Sequence, residues 1–432
     1  MKIKNFEIKN FDRRLAEAAA LLLALVAFAV LGFWYDSTRS NPVQGPAMAS
    51  TLSVTSTADQ GPGSLREALF LAATADARTT IVVQVDRIEI TTPLPPFVNP
   101  HGIGVVAGPE SHAEIDAQAL SSGPVFDVNG ANSSVEGLTI RNCPAAGVLL
   151  RASRFRMAAT TIEACDVGVE VAANAADVVL EQNRFAGNRV GVRLAASIPN
   201  ALVSGNRFNG HSDAGLWAVH SEPDLRKSGT VVRDNQFGDD RMGIVAGNLS
   251  MLVEENTFLD VRETAIHLIG EGLAVRANRI SGTAAMGIVA ENARGVVIER
   301  NELDGLSTYG IMVRGSANTL VRANLIHNCA YGMAFVLGDG RNPSTAVDNS
   351  IVAPQYRGID VIGDSPILRH NRVQQPGKSA LHVESLQQPD GSVAKADPLR
   401  DGNSFDESEA AVAAVRSESS ATPAGTSRPL AP

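Results

Sequence analysis

The chain has 432 residues, with 37 Lys and Arg against 46 Asp and Glu, a formal net charge of −9 and only 5% aromatic residues. An acidic chain without a basic stripe excludes nucleic acid, and polyanion capture by bulk charge, as working readings. Three cysteines are too few for a disulfide framework, and no metal-ligand cluster or phosphate loop stands out, so no metal and no other cofactor is expected.

Residues 1–14 are polar and carry Lys2, Lys4, Lys9, Arg13 and Arg14. The eighteen residues from Ala18 to Tyr35 contain no charge and end in Trp34-Tyr35, which is long enough to cross a bilayer. Residues 1–35 therefore read as a cytoplasmic segment and single-pass inner-membrane anchor, with the remainder of the chain in the periplasm. The rival reading is a cleaved signal peptide with its site at Ala47-Met48-Ala49. The length of the apolar run and its distance from that site favour the anchor. Residues 36–53 form a polar tether containing Pro and Gly.

Residues 54–130 are expected to hold a cap and the first coils. In Gly61-Pro62-Gly63-Ser64-Leu65-Arg66-Glu67-Ala68-Leu69, Ser64 is placed to N-cap a helix with Glu67 at N3. Leu65, Leu69 and Ala72 then share one face. Such a helix would cover the open end of a solenoid, where core and strand edge are otherwise exposed.

From 131 to 385 the chain repeats a short phrase. Two degenerate copies come first, with Gly137 and Ala159 where asparagines stand later. The regular copies place Asn183, Asn206, Asn235, Asn256, Asn278, Asn301, Asn324, Asn349 and Asn371 at steps of 21 to 29 residues. A Gly, or Ala at 265 and 380, follows each Asn by eight or nine residues and begins an alternating apolar strand. Phe185, Phe208, Phe237 and Phe258, then Ile280, Leu303, Ile326, Ile351 and Val373, follow their asparagines by two. This period predicts a mainly β fold, a single-stranded solenoid of about eleven rungs whose matching residues stack as ladders. The Asn column would sit at a tight turn, with each amide bonded to its neighbours. Residues 386–432 are rich in Gln, Asp, Ser, Ala and Pro and are expected to form a disordered tail.

This pattern resembles the right-handed parallel β-helix (pectin-lyase-like) superfamily, in the repeat form shared by NosD-like and carbohydrate-binding CASH-type domains. The resemblance covers roughly Val54 to Glu384. It implies the fold firmly and the function weakly, because the scaffold hosts lyases, hydrolases, epimerases and non-enzymes alike. Gly238-Asp239-Asp240-Arg241 is faintly similar to the Asp-Asp segment of polygalacturonases, but that family's other segments are absent. So are the alginate C5-epimerase and pectate lyase motifs.

Chemistry is sought on outward columns and variable turns. Two residues before each Asn, charges alternate from Arg233 to Arg322, an ion ladder on a solvated sheet. Two residues after each Gly, the column Leu149, Glu170, Arg193, Trp217, Val245, His267, Val289, Met312, Ala334, Asp360 and His382 has an apolar middle. It reads equally as a ligand or partner surface, with Trp217, Arg193 and Met312 as substrate contacts, or as a surface that another segment covers. The turns bring His211, Asp213, Asp239, Asp240, Arg241 and His267 within successive rungs. Paired carboxylates beside Arg and His could serve a glycosidase or a lyase, although Asp is also an ordinary turn residue. Cys143 and Cys165 fall one rung apart, either bridged or stacked as small buried residues.

Two functional readings follow. The first is a membrane-anchored periplasmic protein that binds or processes polysaccharide, within exopolysaccharide assembly or export. If it is an enzyme, its chemistry would be that of a lyase, C5-epimerase or hydrolase. The second is a non-catalytic scaffold or NosD-like assembly factor that docks a partner protein on the apolar stripe.

Overall fold

Every turn of the coil is bent by residues forced into the left-handed region. The residue before eight of the nine ladder asparagines (Gln182, Asp234, Glu255, Ala277, Arg300, Ala323, Asp348 and His370) has φ between 50° and 55°, and Gly205 before Asn206 stands at 64°. A second residue per turn does the same at the next corner, for example Asp239 and Asp260, both at 54°. Each such non-glycine residue costs about 1–2 kcal/mol, so something else must hold the corners.

The asparagines hold the first corner. Asn183 Nδ2 donates to Asn206 Oδ1, and the pattern continues through every ladder residue to Asn403 at 2.8–3.0 Å. Each Oδ1 also accepts the backbone N–H of the asparagine one turn earlier, as Asn278 Oδ1 does for Asn256 at 3.0 Å. Fully buried amides therefore satisfy one another and the bent backbone.

The computed structural model describes residues 50–195, 198–219, 229–247, 250–282, 284–338, 341–387 and 392–407. Short parallel strands stack into three sheets of 15, 14 and 12 strands, called A, B and C. In one turn, Leu273–Arg276 lies in sheet A, Arg279–Ser281 in sheet B and Met286–Arg294 in sheet C. The result is a mainly β, right-handed solenoid of about 13 turns. That exceeds the expected eleven because strands such as Ser50–Val54, Thr79–Val83 and Ile103–Ala107 join the stack without the asparagine phrase, and because a further copy, Leu399–Asp401 with Asn403, adds a turn beyond residue 385.

The core is a bundle of ladders. Phe185, Phe208, Phe237 and Phe258 stack at 5.0, 4.6 and 4.8 Å between centroids. The glycine column makes room for them: a Cβ on Gly243 would stand 2.5 Å from Ala265 O and 2.7 Å from the Phe258 ring. Cys143 and Cys165 are joined in a disulfide across one turn, with Cα atoms 4.3 Å apart.

The helix Leu65–Ala73, α1, packs against Ser50–Val54 and Thr79–Val83. Ser64 Oγ accepts from Glu67 N–H at 3.2 Å, as the capping box requires, while Glu67 Oε2 takes the Gly63 N–H at 2.6 Å. Asn99 Nδ2 donates to the carbonyls of Ala72, Ala75 and Ala77, tying down the helix C-terminus.

The expected transmembrane helix and single-pass inner-membrane localisation need correction. Among the described residues no helix is long and apolar enough to cross a membrane, and α1 has nine residues. Residues 18–35, on which both expectations rested, lie outside the described residues.

Candidate functional site

Sheet C collects the side chains with chemistry. Successive strands pair Arg193 with Trp217, then Val245, His267, Val289, Met312, Ala334, Asp360 and His382 in one unbroken outward column. The middle of this column is not the exposed apolar stripe that sequence suggested. Val245 is 2% exposed and Ala334 is fully buried, both sunk between their neighbours. A docking face for a partner protein is therefore unsupported.

At one end Trp217 and Leu149 pack on a small apolar patch of Ala146, Val167 and Val190, separate from the main core. Arg193 sits beside Glu170 at 3.9 Å. Two turns beyond Trp217, His267 Nε2 lies 3.2 Å from Glu291 Oε2, and Arg314 is 3.7 Å from the other oxygen of Glu291.

The denser group lies at the other end. Tyr309, Tyr331 and Tyr356 stack at 4.7 and 5.3 Å between ring centroids, and Lys378 Nζ stands 4.7 Å from the centre of the Tyr356 ring. Asp360, 1% exposed, accepts from Arg357 Nη1 at 3.0 Å, and His382 Nδ1 lies 3.1 Å from the same oxygen. The Tyr309 hydroxyl donates to the other oxygen at 3.4 Å. Arg357 Nη1 also lies 3.1 Å from His382 Nδ1, so the three side chains meet around one carboxylate oxygen. Burial and the Asp360 charge push the Tyr309 hydroxyl up to about 12, so it keeps its proton at neutral pH. The group offers aromatic faces beside fixed hydrogen-bond donors, with one buried carboxylate orienting them.

The six turn residues are not gathered into one cleft. His211 and Asp240 meet, but inside the coil: both are fully buried, with Nδ1 and Oδ1 2.6 Å apart. They continue a second internal column through Cys143, Cys165 and Asn188, five residues after the ladder position. There Asn188 Oδ1 accepts from Cys165 N–H at 2.9 Å, and Asp240 Oδ1 accepts from His211 N–H at the same distance. Asp213 accepts from Arg189, which also grips Asp166. Asp239 is an exposed corner residue 3.9 Å from Arg262, and Arg241 pairs with Glu263 at 2.9 Å. Of the six, only His267 belongs to the column on sheet C.

Sequence reasoning did not single out Tyr309, Tyr331 or Arg357, and it placed Asp360 only as one member of the outward column. The available signal was the residue before each glycine, where Tyr309, Tyr331 and Arg357 interrupt a column that elsewhere holds Ala, Val, Thr, Met and Ser.

Coil and ladders define a right-handed parallel β-solenoid, with its titratable and aromatic side chains gathered on sheet C. Two stretches, residues 96–237 and 225–374, match the family model for a right handed beta helix region, and the chain belongs to that family. No curated protein matches it in sequence. Among solved structures it is similar to the catalytic unit of a thermostable GH87 alpha-1,3-glucanase from Streptomyces thermodiastaticus, at 15% identity and a TM-score of 0.55, covering 85% of this chain and 71% of that one. It is also similar to the A-module of the Azotobacter vinelandii mannuronan C-5 epimerase AlgE6, at 13% identity and a TM-score of 0.46, over 82% and 98% of the two chains. A GH136 lacto-N-biosidase from Eubacterium ramulus follows at 11% identity and 0.38, over 83% and 68%. At such identities the likeness is one of fold.

Proposed function

We propose that this protein binds polysaccharide along the outer face of sheet C, with the sugar chain seated on the tyrosine stack. The observation that carries this reading is the stack of Tyr309, Tyr331 and Tyr356 beside the Arg357–Asp360–His382 group. Aromatic faces take the apolar side of a pyranose, and fixed donors take its hydroxyls. The likeness to carbohydrate-binding CASH-type repeats, and the fold shared with an alpha-1,3-glucanase, lend support. A second reading, processing at the same place, is favoured by the buried Asp360 between an arginine, a histidine and a protonated tyrosine, an arrangement suited to proton transfer.

The test is binding of the full chain to a panel of neutral and acidic polysaccharides, with products followed in parallel. Binding that is lost in Tyr331→Ala, while the fold is retained, supports the reading. Turnover lost in Asp360→Asn with binding retained would make the site catalytic. Failure to bind any member of the panel would overturn the polysaccharide reading.

A further inference from the structure

The corner joining sheet C to sheet A holds three buried oxygens that lack a hydrogen-bond partner among the described residues. They are Asp364 Oδ2, Ser344 Oγ and Thr319 Oγ1, on side chains that are 3%, 2% and 1% exposed. Native interiors rarely leave such atoms orphaned without a bound water or ion.

Register brings them to neighbouring columns. Val336 pairs with Ile362, which sets Asp364 opposite Gly338 on the turn before. Its carboxylate leans into the place where a side chain on Gly338 would go, since a Cβ there would stand 2.2 Å from Oδ1. Thr319 and Ser344 occupy the adjacent column one turn apart, fixed by Thr345 N–H donating to Thr319 O at 2.8 Å and Ile367 N–H to Ser344 O at 2.9 Å.

Ser316, one turn before Gly338 in Asp364's column, shows what satisfaction looks like. Its hydroxyl lies 3.1 Å from Ala290 O and 2.9 Å from Arg314 O, and it accepts from Ala293 N–H at 3.0 Å. Two turns later the column changes to a carboxylate. Asp364 accepts the Ser365 N–H at 2.6 Å, but no cationic side chain among the described residues pairs with it. Burial accordingly pushes its carboxyl above the usual range.

We propose that Asp364 and Ser344 bind a hard, oxygen-liganded cation at this corner. One anionic and one hydroxyl oxygen, with neither thiolate nor imidazole, suit the calcium and sodium class over the softer transition metals. A cation also balances the buried charge, which a water molecule would leave uncompensated. Asp364 follows the sheet C strand Arg357–Ile362, which carries Asp360, and turns into the corner beyond it, where the role of the site is structural. A cation that binds only the folded corner stabilises it by mass action, by about 2.7 kcal/mol at one hundred times its dissociation constant.

The experiment uses the full chain, freed of metal by chelator and then titrated separately with calcium, magnesium, sodium and potassium salts at constant ionic strength. Thermal unfolding and calorimetric binding are the readouts. The expected result is a rise in unfolding temperature with at least one cation, lost in both Asp364→Asn and Ser344→Ala. Asp364→Asn keeps an oxygen for the Ser365 N–H, and Ser344→Ala provides an independent check if the first variant folds poorly. No rise with any of the four cations overturns the proposal. A rise that survives in either folded variant places the ion elsewhere and overturns it equally.

Discussion

Replacing Asn278 by Ala removes the central link of the amide ladder. Its Oδ1 accepts from both the backbone N–H and the side-chain amide of Asn256, and its Nδ2 donates to Val253 O, Arg276 O and Asn301 Oδ1, each at 3.0 Å. Asn301 Oδ1 keeps the Asn278 backbone N–H at 3.0 Å, so the orphans are chiefly the two Asn256 donors. At about 1–3 kcal/mol for each unsatisfied buried group, the local cost is about 2–6 kcal/mol. Aspartate should not rescue it. Its oxygen would serve Asn256, but the other would face the oxygens of Val253 and Asn301 and carry a buried charge. Because a repeat protein need not unfold in one step, amide hydrogen exchange is the suitable assay. At 3 kcal/mol the Asn256 amide should exchange about 10²-fold faster in Asn278→Ala, with the effect fading over neighbouring turns. Unchanged protection at Asn256, or native protection in Asn278→Asp, would refute the ladder as the device that holds the corner.

The glycine column should be intolerant of branching. Gly243→Val, with its Cβ against Ala265 O and the Phe258 ring, is expected to cost about 1–3 kcal/mol and lower the unfolding midpoint, whereas Ala, present at 265, should cost less. Phe237→Ala should lose about 3–5 kcal/mol by denaturant unfolding, since it opens a cavity within a four-ring stack. Asp364 has a folded-state pKa raised by burial, so its penalty is present above that value and fades as pH falls through it toward the ordinary 3.8. In chelator, Asp364→Asn should therefore exceed the wild type in stability at neutral pH and lose that lead in acid, as read from paired denaturation curves. Burial pushes the Cys329 thiol up to about 11, so alkylation at neutral pH should label it only after unfolding.

The repeat was legible because stacking forces like residues into one column, and asparagine, phenylalanine and glycine each answer a distinct steric or hydrogen-bonding demand. The outermost turns were harder to read. Strands such as Ile103–Ala107 complete the coil by parallel pairing and the buried Ile103 and Val105, and need no asparagine. The site was less legible for a related reason. Asp240 looked like a paired catalytic carboxylate beside Asp239, yet a position five residues after the ladder points inward while its predecessor turns outward at φ 54°. Tyr309 reaches Asp360 across 51 residues, a juxtaposition visible only once successive turns are superposed.

The ladder also acts as an index mark. Asn206 meets Asn235 at 3.0 Å across 29 residues, and Asn235 meets Asn256 at 2.9 Å across 21. The same place on each turn is thus marked whatever the chain length between marks. A solenoid indexed in this way can lengthen, shorten or exchange an intervening loop without shifting the turns beyond it. The frame and its surface equipment can therefore vary independently.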